Sequence, residues 1–126
     1  MEHRLFSSVL ALINDRAREF IHLEVDIHSY SANNLTLLVG EDLLYYGDFK
    51  VVFEDVFSLS INASFRINTA LPLLVMASKE EVYELNRRFR VERGNTIFKL
   101  QSEDGIVFFI AAKSIQYLPE VEKLVY

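Results

Sequence analysis

The segment Phe49–Ile61, FKVVFEDVFSLSI, constrains the fold more than any other part of the chain. Phe49, Val51 and Phe53 share one parity, and Phe57, Leu59 and Ile61 share the parity of a second run; Lys50, Glu54, Ser58 and Ser60 fill the positions between. Side chains of an extended chain alternate between two faces, so this period of two, with aromatics on one parity, specifies half-buried β-structure. Glu54-Asp55-Val56 reads as a tight turn or a bulge between two strands. The rest of the chain has to pair with this element or cover its apolar face.

The flanking segments supply both. Leu5, Phe6, Val9, Leu10, Ile13, Ala17 and Phe20 recur at three- and four-residue spacing, which predicts a helix over 3–20 with one apolar stripe. The period then switches: Ile21, Leu23, Val25 and Ile27 alternate with His22, Glu24, Asp26 and His28, a strand with one wet face. A polar turn follows, with Asn33-Asn34 suited to left-handed geometry, and Leu35, Leu37 and Val39 alternate again as a hairpin partner. Phe65-Arg66-Ile67 is a further short strand, and Pro72 opens the apolar run LLVMA. Ser78-Lys79-Glu80-Glu81 is a capping box, followed by a helix with Val82, Leu85 and Phe89 as its buried edge, ended or turned by Gly94-Asn95. Thr96–Gln101 and Ile106–Ala112 flank a four-residue loop and predict a hairpin whose second strand, apolar on both parities, is central. Ser114 to Leu118 alternate as a last strand, and Val121, Leu124 and Val125 suit a helical turn. The fold class expected is α+β: a single domain over 1–126, with a mostly antiparallel twisted sheet of about six strands. An N-terminal helix packs on one face, and a second helix precedes the C-terminal hairpin.

The composition is compatible with such a core. The chain has 126 residues, 51% of them hydrophobic, including ten Phe and six Tyr, and no Cys, which removes disulfides, thiolate nucleophiles and Cys-based metal sites. No apolar run reaches the ~20 residues of a membrane span. The first residues are polar and charged, without a basic-then-apolar leader, so a cytoplasmic location is expected. Net charge is −5, which disfavours a nucleic-acid partner, and its distribution is uneven. Residues 20–65 hold seven acids and one base, whereas residues 87–99 hold five bases and one acid.

Three groups of side chains invite a chemical reading. His22, Glu24, Asp26 and His28 project from one strand face, yet the histidines would lie about 20 Å apart at strand spacing and cannot share an ion. A solvated face, or one that meets a partner, accounts for them better. Glu41, Asp42, Asp48, Glu54 and Asp55 sit in or beside turns, with Tyr45 and Tyr46 among them; exposed acids with amphipathic aromatics suit a basic partner more than acid–base catalysis. Arg87, Arg88, Arg90 and Arg93 have the chemistry of an anion clamp, but their spacing spreads them around a helix. No Gly-rich phosphate loop and no nucleophile elbow is present.

The run LTLLVGEDLLYYGDFKVVFEDVFSLSI, through Leu35, Leu37, Tyr45, Tyr46, Val51, Phe53, Val56 and Leu59, resembles small bacterial α+β proteins, among them uncharacterised families and some immunity proteins of polymorphic toxin systems. The resemblance covers about a quarter of the chain, rests on hydrophobic spacing and carries over no functional residue. Together with the charge pattern it implies a non-catalytic interaction protein of immunity type that binds a basic protein through Glu41, Asp42, Tyr45, Tyr46, Asp48, Glu54 and Asp55. The alternative is a small-ligand or anion-binding protein, or an enzyme, using Arg87–Arg93. Neither a cofactor nor a metal is expected, and pairing of edge strands would allow a homo-oligomer.

Overall fold

The computed structural model describes the chain from residue 2 to residue 121, with side chains from residue 6 onward. The helical turn expected around Leu124 and Val125 lies outside the described residues. In chain order the elements are α1 (Glu2–Ala17), β1 (Leu23–Ser31), β2 (Asn34–Gly40), β3 (Phe49–Ser60), β4 (Ser64–Ile67), β5 (Leu74–Met76), α2 (Lys79–Phe89), β6 (Thr96–Gln101) and β7 (Val107–Leu118). All strands pair antiparallel in one sheet of order β4-β1-β2-β3-β7-β6-β5, so the protein is α+β with seven strands where about six were expected.

The organising stretch is one strand. Asp55 adopts φ +54°, its N–H donates to Asn34 Oδ1 (3.0 Å), and the next N–H, of Val56, donates to Asn33 O (2.7 Å). Pairing with β7 shifts register once, between Val56 and Ser58, which sets Leu59, near the end of β3, opposite Ile110. An irregularity of this kind changes which parity faces the core. Phe49, Val51 and Phe53 therefore point into the core as expected, but beyond the bulge Val56 takes the buried place, and Phe57 and Leu59, expected inside, stand exposed.

The β1–β2 hairpin turns on Ala32 (φ 52°) and Asn33 (φ 64°). Two consecutive left-handed residues match the twist of the flanking strands. The register Ser31↔Asn34 moves this pair one residue earlier than Asn33-Asn34. At the C-terminal end, Ser114–Leu118 is not a separate strand; it continues β7, which pairs with β3 along nearly its whole length. β7 lies between β3 and β6, and Ile110, Ala111 and Ala112 are all buried.

Helix α1 buries Phe6, Leu10, Ile13 and Ala17 against the sheet, with Phe6 meeting Phe98 edge-on at 5.6 Å and Phe98 tilted against Phe53 at 5.3 Å. Such aromatic pairs add about 1 kcal/mol each to the area they bury. α2 carries the expected capping box: Glu81 N–H donates to Ser78 Oγ (3.2 Å) and Ser78 N–H donates to Glu81 Oε1 (2.9 Å). The helix stops at Phe89, with Arg90 left-handed, before Gly94-Asn95 is reached. Its expected buried edge is not buried. Val82 and Leu85 are half-covered, and Phe89 is 45% exposed.

The sheet curls until its first strand meets the tip of the β6–β7 hairpin. Glu103 N–H donates to Arg66 O (2.8 Å), and Phe65 of β4 stacks on Phe108 of β7 at 4.6 Å. The other edge is closed by a side chain. Asn14 of α1 donates through Nδ2 to Leu74 O (2.9 Å) and accepts at Oδ1 from Leu74 N–H (3.0 Å), the two bonds an eighth strand would make.

Candidate functional site

The curl brings four separate segments around one cleft of about 580 Å³. His22 enters from the approach to β1 and Glu24 from β1 itself. Glu41, Asp42 and Leu44 come from the β2–β3 loop, Arg66 from β4, and Glu103 from the β6–β7 loop. Cross-strand register explains part of this gathering: Glu24 stands opposite both Gly40 and Arg66, so the start of the loop and the end of β4 flank it.

The β2–β3 loop is held from within. Tyr45 and Tyr46 N–H both donate to Asp42 O (3.1 Å each), and Asp48 Oδ2 accepts from Glu41 N–H (3.0 Å) while Asp48 N–H reaches back to Val39 O (2.8 Å). Glu24 Oε1 accepts from Leu43 N–H (3.2 Å), which ties the loop to β1. Gly47 lies flat on Leu38: a Cβ there would sit 2.3 Å from Leu38 Cδ1, so any larger residue would push the Leu38 side chain aside. With its base fixed, the loop pushes its tip outward. Leu44 is 83% exposed, Tyr45 77% and Tyr46 46%.

Inside the cleft the charges are unevenly matched. Four carboxylates face one guanidinium, with His22 beside them. Among the described residues the Arg66 guanidinium forms no ion pair, and the carboxylates of Glu41, Asp42 and Glu103 make no hydrogen bond within the protein. Their oxygens are left for water or for a partner's donors. Among the described residues no set of three or more His, Asp or Glu is placed to hold a metal ion.

The residues singled out in the sequence divide accordingly. Glu41 and Asp42 line the cleft, and Tyr45 and Tyr46 stand on the same loop. Asp48 is turned inward to hold that loop. Glu54 and Asp55 belong elsewhere: they lie within β3, with Asp55 against the β1–β2 turn, roughly 20 Å along the strand from the β2–β3 loop. Glu54 accepts from Ser114 Oγ (3.1 Å), and Asp55 pairs with Lys113 (3.3 Å). The four-residue face of β1 is also broken up. His22 and Glu24 join the cleft, Asp26 accepts from Ser64 Oγ (2.6 Å), and a bulge between Ile27 and Ser29 interrupts the alternation at His28.

Arg66 and Glu103 had no local signal. Each is a single charged residue in a short strand or turn; β1–β4 pairing sets Arg66 opposite Glu24, and the curl brings Glu103 to the same cleft.

On α2, Arg87 pairs with Glu84 (3.6 Å), and Arg88 lies over the Phe89 ring at 5.2 Å. Arg88, Arg90 and Arg93 meet no carboxylate among the described residues.

Comparisons of the chain with protein-family models, with curated proteins and with solved structures find no match.

Proposed function

We propose that this chain is a non-catalytic binding protein of immunity type, which holds a basic protein partner at the cleft between β1, β4 and the β2–β3 loop. One observation carries the reading: four carboxylates, three of them with no bond among the described residues, line a cleft whose neighbouring loop presents Leu44, Tyr45 and Tyr46 to solvent. A partner's Lys or Arg side chain entering the cleft would meet donors' complements already free of internal ties. The exposed aromatic and aliphatic tip would supply the desolvated contact that charge alone lacks. Glu54 and Asp55 take no part in this surface.

The test is affinity capture from lysate at low and moderate salt, with captured proteins identified by mass spectrometry, followed by titration of the purified partner. The expected result is a basic protein whose binding weakens with salt and falls about a hundredfold in the Glu41→Lys/Asp42→Lys double variant, since like charges across an interface cost several kcal/mol. Binding that is indifferent to both changes would overturn the reading.

A second reading, an anion-binding protein acting through α2, has one observation in its favour: Arg88, Arg90 and Arg93 are without carboxylate partners among the described residues.

A further inference from the structure

Where α2 crosses the sheet it leaves an apolar groove, lined by Leu59, Leu85, Phe89, Ile97, Phe109 and Ala111. It shares no lining residue with the acidic cleft. We propose that this groove docks an acidic, extended polypeptide segment carrying apolar side chains, added as a strand along Phe57–Ser60.

Three independent features converge on that occupant. The first is an unpaired edge. β2 pairs with β3 only through Phe49–Phe53, so beyond the bulge the Phe57–Ser60 stretch is held by β7 on one side, and no described strand pairs with its other side. Both outer edges of the sheet are closed, at Leu74 by Asn14 and at Arg66 by Glu103, whereas this inner edge is not. A strand edge of this kind binds an extended chain through main-chain hydrogen bonds.

The second feature is the exposed apolar surface beside that edge. Beside that edge Phe57 is 40% and Leu59 37% exposed, and Phe89, the last residue of α2, is 45% exposed where it lines the groove. Alternate side chains of an added strand would fall into it. The third is charge. Arg88 lies over the ring of Phe89, which lines the groove, and Arg90 and Arg93 flank Val91 in the chain; none of these three has a carboxylate partner among the described residues. Arg88 and its two unpaired neighbours in the chain favour carboxylates, and the floor of the groove favours hydrocarbon. A free phosphate would satisfy the arginines and leave the floor empty.

The experiment is fluorescence anisotropy on the intact chain with three labelled twelve-residue probes: alternating Glu and Leu, alternating Glu and Ser, and alternating Lys and Leu. The Glu/Leu peptide is expected to bind with Kd on the order of 10 μM at low salt, and the Glu/Ser peptide at least about tenfold more weakly. The triple variant Arg88→Glu/Arg90→Glu/Arg93→Glu, all surface positions, should weaken the Glu/Leu peptide about thirtyfold. Ser58→Pro, which removes an N–H from the β3 stretch, and Leu59→Lys should each weaken it as well, with circular dichroism confirming the fold. Glu41→Lys/Asp42→Lys should leave it unchanged, so loss of the acidic-cleft reading and loss of this one are told apart. Equal binding of Glu/Leu and Glu/Ser peptides, competition by millimolar inorganic phosphate to the same extent as by peptide, preference for the Lys/Leu peptide, or absence of binding would each overturn the proposal.

Discussion

Glu81 performs two tasks with one carboxylate. It accepts from Ser78 N–H at the N-terminus of α2, and it pairs with Lys99 of β6 (3.1 Å), so it both caps the helix and fastens it to the sheet. The backbone bond from Ser78, more than the nearby Lys99, holds its pKa below the ordinary value of 4.5. A carboxyl whose folded-state pKa is depressed stabilises the fold fully above its unfolded value, and that contribution is lost as pH falls through the lower folded value. The stability difference between the native chain and Glu81→Gln, which keeps the cap but not the charge, is therefore expected to be largest at neutral pH and to vanish in acid; urea titrations across that range would measure it. Replacing Ser78 by Ala should cost about 1 kcal/mol at any pH. Ser78 and Glu81 were fully legible in the sequence because a capping box is a contact over three residues, and nothing distant can alter which atoms meet.

Strand β3 shows the opposite case. Its alternation identified a strand and placed Phe49, Val51 and Phe53 on the core face. Just beyond Asp55 the inward place passes to Val56 and Phe57 stands exposed, because a bulge is one residue of backbone geometry with no hydrophobic signature; Ile61 still packs against the core as its parity predicts. Asp55 accepts a left-handed conformation there, supported by Asn34 and Lys113. A β-branched residue cannot take φ +54° without strain, so Asp55→Val is expected to lose about 2 kcal/mol. Asp55→Gly relieves the backbone and should be far milder despite losing the ion pair. Thermal unfolding of the two variants would rank them. An order reversed from this would mean that the Lys113 contact, not the backbone, holds the bulge.

At the scale of the whole molecule, the curled sheet is finished at its edges by single contacts. The amide of Asn14 stands in for a missing strand at Leu74, and nothing in its helical surroundings marked it for that task. Asn14→Ala would leave a half-buried N–H and C=O without partners, at a cost of about 2 kcal/mol, and Asn14→Asp, which can still accept from Leu74 N–H but turns a carboxylate oxygen toward Leu74 O, should be no milder. Because the same change bares a strand edge, the Ala variant is also expected to self-associate as concentration rises, a shift that analytical ultracentrifugation would detect. No helix among the described residues is long and apolar enough to cross a membrane. The cleft, assembled by curl from four segments, was only half visible in the sequence: Glu41, Asp42 and Tyr45 stood out as a cluster, whereas His22, Glu24, Arg66 and Glu103 are brought to them by pairing and closure. Most of its chemistry also hangs on a frame that does not depend on it, since the loop is fixed by Asp48, Gly47 and main-chain bonds, and Glu103 touches β4 through its backbone. Substitutions at Glu41, Asp42 or Glu103 can therefore accumulate in a lineage with little loss of folding stability, so the chemistry of the cleft is free to change while the scaffold stays the same.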